Sequence, residues 1–216
     1  MAVGPRTGTR AERRERASAE TRARILDAAR ACLLSDGYAN LSTRRVAEAA
    51  DVPLSQIHYY FGSKQELILA VLAAQNETLL DRQAEMFASD EPLWRQWERA
   101  CDFLDADLAS GYVRVLQEMI AAGWSDPLVA ASVREQLGGW FGLLADVARR
   151  EEARRGDLGP FTPEEVSALM GLPFLGAEAA ILLGFDEAEL PSRSALRKVG
   201  ALLRGLDRSA PEAPNG

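Results

Sequence analysis

Histidine is nearly missing from this chain: His58 is the only one among 216 residues. Cysteine is almost as scarce, with Cys32 and Cys101 far apart. Neither falls at a metal-ligand spacing, and no Ser/His/Asp or Cys/His set can be assembled for nucleophilic catalysis. No apolar run reaches membrane-spanning length without a break. The best candidate, residues 169–185, is interrupted by Pro173, Glu178 and several glycines. The Arg-rich N-terminus lacks the apolar segment of a secretory signal. These absences lead us to expect a reduced cytoplasmic protein with no metal, no cofactor and no membrane partner. What is present is ordinary for a chain that buries a real core: 47% of residues are hydrophobic.

The net charge of -7 hides an asymmetry. Residues 1–62 hold 10 Arg against 7 acidic residues, so this end is positive and the remainder strongly negative. A basic end with an acidic body suits contact with a polyanion through one end only. Residues 1–19 have no large apolar residue after Val3 and read as a disordered basic tail, either passive or brushing phosphates.

Helical periodicity then takes over. Ile25, Ala28, Ala29, Cys32 and Leu33 form a buried stripe over residues 19–35, closed by Gly37. Ser42 suits the cap of a second helix carrying Val46, Ala47 and Ala50 inward. Asp51-Val52 makes a turn, and Pro53 suits the first position of a third helix anchored by Ile57 and Phe61. Ser63 and Glu66 form a capping box for a long fourth helix ending near Ala88. Two short helices joined by a tight turn are the layout of a helix-turn-helix, whose second helix enters the DNA major groove. Beyond residue 92, breaks near Gly111, Gly123–Pro127, Arg155–Pro163 and Gly184–Pro191 separate about five more helices with heptad-like apolar stripes.

Gly37-Tyr38, Val46-Ala47, Val52, Ile57-His58-Tyr59-Tyr60-Phe61-Gly62-Ser63-Lys64 and Glu66-Leu67 together resemble the tetracycline-repressor (TetR) family of bacterial regulators. The resemblance is strongest over residues 21–72 and only architectural beyond. It implies an all-α fold: a helix-turn-helix domain over residues 20–66, and a helical ligand-binding and dimerisation domain over 67–208 before a short tail at 209–216. It also implies a homodimer that binds a palindromic operator on double-stranded DNA, usually as a repressor released by a small molecule. Ser55, Gln56 and His58 depart from the family's commoner residues, as does Asp51 in the turn.

The candidate DNA contacts are Ser42, Thr43, Arg44, Leu54, Ser55, Gln56, His58, Tyr59, Tyr60 and Lys64. Ser42 and Thr43 stand at a helix N-terminus, where N–H groups and hydroxyls meet phosphate. Arg44 reaches a phosphate or a guanine edge, and Gln56 carries the amide that pairs with adenine. Tyr59, Tyr60 and Lys64 look like the family's phosphate clamp. His58 is a phosphate contact or a packed ring.

In the body, Trp94, Trp97, Phe103, Met119, Trp124, Trp140, Phe141 and Phe174 are candidates to line a largely apolar ligand cavity, or simply to pack as core. Glu98, Asp102 and Asp105 lie on one stripe, which is a solvated face or, turned inward, a site for a cation. Gly176, Ala177 and Ala180, with Leu196, Val199, Leu203 and Leu206, are candidates for the dimer interface the resemblance places on the last two helices; the alternative is packing within one subunit. Two rivals remain. One is a regulator that needs no ligand. The other is an all-helical enzyme, which the missing catalytic sets disfavour; Gly62-Ser63-Lys64 lacks the upstream glycine and strand of a phosphate loop.

Overall fold

The structure, a computed structural model, describes residues 9–209, with side chains described as far as residue 205. Residues 1–8, residues 210–216 and the side chain of Leu206 lie outside that description. The described residues form nine helices and no strand. They divide into two compact units between Ala73 and Ala74.

Helix α1 (Arg10–Asn40) begins inside the stretch expected to be a disordered tail. The reason is local. Thr9 and Glu12 form a reciprocal capping box, and Arg16 pairs with Glu20 one turn on at 3.0 Å. Arg, Ala and Glu are strong helix formers even where no core recruits them. Gly37, at φ 75°, breaks the helix before a last short turn. Helix α2 (Thr43–Ala49) is capped by Ser42, whose hydroxyl accepts from the Arg45 N–H at 3.2 Å. Asp51 supplies the turn with φ 51°, the left-handed geometry that Asp tolerates. Helix α3 (Leu54–Phe61) starts one residue later than expected, with Pro53 at the cap position. Ile25, Leu33, Val46, Ile57, Leu67 and Ile68 are each at most 1% exposed and fix this unit's core.

Helix α4 (Lys64–Phe87) begins with the Ser63–Glu66 capping box, both bonds present at 3.1 and 2.9 Å. It runs unbroken across the division between units. The body continues with α5 (Leu93–Ser110), α6 (Tyr112–Gly123), α7 (Pro127–Arg155), α8 (Pro163–Leu182) and α9 (Ser192–Ser209). The breaks fall where glycine and proline placed them. Principal pairings are α7 with α8, α5 with α9 and α6 with α7. Trp97, Cys101 and Leu104 of α5 form one core cluster with Phe174, Ala177 and Leu196. Gly171 lets α8 approach α7 closely: a Cβ there would stand 2.5 Å from the Phe141 ring. Helix α8 is the one described helix long and apolar enough by composition to cross a membrane, and it is largely unburied.

Candidate nucleic-acid interface and ligand cavity

The turn between α2 and α3 leaves one face of α3 outside the core. Ile57 and Phe61 point inward, while Ser55, His58 and Tyr59 are exposed, Tyr59 by 79%. Leu54, Gln56 and Tyr60 are half-buried. Tyr59 and Tyr60 meet edge to face with centroids 5.0 Å apart, which limits the freedom of both rings. The Tyr60 hydroxyl lies 3.0 Å from Ser18 Oγ, so α1 braces α3. His58 Nδ1 stands 2.9 Å from the Gly62 carbonyl and ties off the end of α3. The Lys64 ammonium donates to the Tyr38 carbonyl at 2.9 Å and sits 5.1 Å from the centre of that ring. Two further N–H donors remain on it.

On α2, Ser42, Arg44 and Arg45 are exposed and Thr43 half-buried. Arg45 pairs with Asp36 at 2.7 Å. Gln56 Oε1 is covered and has no hydrogen-bond partner. A buried unpaired acceptor costs about 1–3 kcal/mol, so the rotamer that turns this amide outward is favoured once a donor is offered.

The body holds a cavity of about 50 Å³ among α4, α5, α6, α7 and α8. Trp97, Phe103, Trp140 and Phe174 are in its wall. Four other candidates are not. Trp124 follows the end of α6 and is 83% exposed. Trp94 is stacked under Arg204 at 3.6 Å on the α5–α9 seam. Phe141 packs against the cluster of Met86, Phe87 and Leu144. Met119 is buried core outside the cavity wall. The acidic stripe is no cation site either: Glu98, Asp102 and Asp105 pair with Arg204, Arg197 and Arg193 of α9 at 3.2, 2.7 and 2.8 Å.

The expected dimer residues also separate. Leu196 is buried, and Ala177, Val199 and Leu203 belong to the same intrachain cluster with Trp97. They are the seam between α5, α8 and α9, because heptad spacing identifies an apolar stripe without saying which helix covers it. Gly176 is exposed, with nothing near its Cβ position, and Ala180 is half-buried.

Sequence reasoning missed the polar part of the cavity wall: Asn76, Gln83, Asp107, Tyr112 and Glu178. A signal exists, since Asp107 and Glu178 interrupt the apolar stripes carrying Leu104 and Phe174. Tyr112 donates to Asn76 Oδ1 at 3.1 Å, and Trp140 donates to Gln83 Oε1 at 2.8 Å. Arg82 grips Asp107 through both oxygens at 2.9 and 2.7 Å and lies 4.1 Å over the Phe103 ring. Glu178 has no such cation; Gln117 Nε2 donates to it at 3.1 Å. Burial pushes the Glu178 carboxyl up to about 7, the Gln117 hydrogen bond pulls it down, and the Asp107 charge raises it. Burial likewise pushes the Cys101 thiol up to about 11, so it stays protonated and packs as an apolar group.

Among the described residues, the first unit is thus a braced helix-turn-helix and the second a helical body with an internal cavity. Residues 25–71 match the family model for bacterial regulatory proteins of the tetR family. By this stretch, less than a quarter of its length, the chain is similar to the tetR family. It is 41% identical over 66 residues to the HTH-type transcriptional repressor KstR of Rhodococcus jostii (strain RHA1), a match covering 31% of each chain. The matched stretch is thus about a third of that relative's length. Solved structures share the whole fold. A regulator from Saccharomonospora viridis in complex with choline aligns at TM-score 0.68 with 19% identity, covering 88% of this chain and 97% of that one. FadR from Bacillus subtilis in complex with stearoyl-CoA aligns at 0.70 with 13% identity, covering 84% and 96%.

Proposed function

We propose that this chain is a transcriptional repressor that binds a two-fold symmetric operator as a homodimer and leaves it when a small molecule fills the body cavity. The observation that carries this reading is α3. Its inner face is locked by Ile57 and Phe61, and its outer face presents Ser55, His58 and Tyr59 with Gln56 half-buried among them, while Arg44 is exposed on α2 and Lys64 half-buried at the start of α4. Such a face has the donors, acceptors and cations for base edges and phosphates.

One helix-turn-helix reads only a few base pairs, so a dimer doubles the site. The surface that suits dimerisation is the outer face of α8, with Leu169, Leu172 and Gly176, joined by Leu183 and by Leu202 of α9. These leucines are 58% exposed at the least in this chain alone, an apolar surface that water disfavours. Ligand release needs only differential affinity. A ligand that prefers one body shape shifts the population toward it, and α4, which carries Asn76 and Gln83 of the cavity wall, begins in the DNA-binding unit.

A library of random duplexes placed between a promoter and a reporter tests the repressor reading. A small, related subset of duplexes is expected to silence the reporter when the chain is present. Silencing that is absent, or equal for all duplexes, would contradict it. The same subset with no ligand response would favour the ligand-independent regulator.

A further inference from the structure

The cavity has aromatic walls and a carboxylate that nothing neutralises. Trp97, Phe103, Trp140 and Phe174 supply faces on which a cation is held by the ring quadrupole. Two carboxylates line the same space. Asp107 is matched by the bidentate Arg82. Glu178 is 9% exposed and receives one neutral hydrogen bond, from Gln117. Among the described residues, no basic side chain lines the cavity. A buried charge in this setting is costly unless paired, so a ligand that brings the missing positive charge gains both the ion pair and the aromatic contacts. An anionic ligand would meet two carboxylates and no cation of the wall.

We propose that this cavity takes an organic monocation, an apolar molecule bearing one amine or quaternary ammonium, with its charge seated against Glu178. The inference rests on the ligand-responsive reading above but concerns binding alone. The charged and titratable groups facing Glu178 are Asp107 from α5, backed by Arg82 from α4, and Tyr112 with Gln117 from α6. The wall residues of α7 are Leu137, Trp140 and Leu144, which carry no charge. With Glu178 titrating near 7, a permanent cation binds better as pH rises through that value, and its binding expels the proton.

The test uses the full-length protein and benzyltrimethylammonium, with neopentylbenzene as its uncharged isostere, read by calorimetry and by the fluorescence of the wall tryptophans. The cation is expected to bind roughly 10- to 100-fold more tightly than the isostere. Its affinity should rise between pH 6 and 8 and lose most of that advantage in Glu178→Gln. Glu178→Gln keeps the shape and removes a buried charge, so a thermal melt should show it folded; Leu137→Trp, which fills the cavity, should abolish binding of both probes. Equal affinity for the two probes, or an unchanged ratio in Glu178→Gln, would overturn the proposal. Binding that follows this pattern without loosening DNA leaves the ligand class standing and contradicts the release mechanism instead.

Discussion

Gln56 is the side chain at which the proposed reading of base sequence is most directly tested. Its Oε1 is covered and unpaired, so an adenine edge offers the amide oxygen the N6 donor that the protein withholds. Gln56→Ala is expected to cost ~1–3 kcal/mol at one base position and to relax the preference there. Competition between duplexes differing at that position measures it; equal weakening on every duplex would make Gln56 a backbone contact. Glu178 carries a second expectation. Its folded-state pKa lies above the ordinary carboxylate value, so the folded protein holds a proton the unfolded chain releases. Stability therefore falls as pH rises from about 4.5 to about 7 and stays lowered above. Melts across this window should show the fall, and Glu178→Gln should flatten it. A residual slope belongs to Asp107, whose carboxyl burial also pushes up. A decline of the same size in the variant would contradict the assignment. The aromatic side of the cavity wall was legible in part: residue type pointed to Trp97, Phe103, Trp140 and Phe174 but also to Trp94, Trp124 and Phe141, which lie elsewhere, and passed over Phe87. The carboxylate side was not legible, because a polar residue on an apolar stripe gives no sign of whether its neighbours leave it a cavity.

At the scale of elements, the motif segments were legible because each carries its own chemistry: the Ser63–Glu66 box, the Asp51 turn and the Ser42 cap all depend on residues within a few positions. The start of α1 was not. Its low hydrophobicity points to disorder, whereas the Thr9–Glu12 cap and good helix formers are enough to build the helix. This bears on DNA binding. Exposed Arg10, Arg13 and Arg14 stand on a helix whose Ser18 touches Tyr60 of α3, so they project from the DNA-binding unit on a formed scaffold. Replacing all three by Ala keeps the helix, and for each arginine that meets a phosphate the salt dependence of DNA binding should drop by about one ion. An unchanged slope of log affinity against log salt would show that this turn of α1 does not reach the duplex.

For the whole molecule, the placement of the proposed dimer surface is where sequence pattern and burial diverge most. Periodicity singles out Leu196, Val199 and Leu203, yet they face Trp97 and its neighbours inside one chain. The uncovered apolar area lies elsewhere, at Leu172 and Leu202, which are 58% and 69% exposed. Sequence pattern finds two such stripes on a bundle helix and cannot rank them; burial can. Leu172→Asp with Leu202→Asp is expected to yield folded monomers by light scattering, whereas Leu203→Asp should lower the melting temperature through the core. A double variant that remains dimeric would move the interface to another surface. Since affinity on a palindrome depends on both half-sites, the monomer should also lose most of its DNA binding.

Selection of bound duplexes from a random pool by the purified full-length protein tests the central claim most directly. A two-fold symmetric consensus, with two related half-sites about one helical turn apart, is the expected result for a dimer that presents two α3 helices. Recovery of duplexes with no shared sequence would contradict it, leaving a basic helical protein that holds DNA by its phosphates alone.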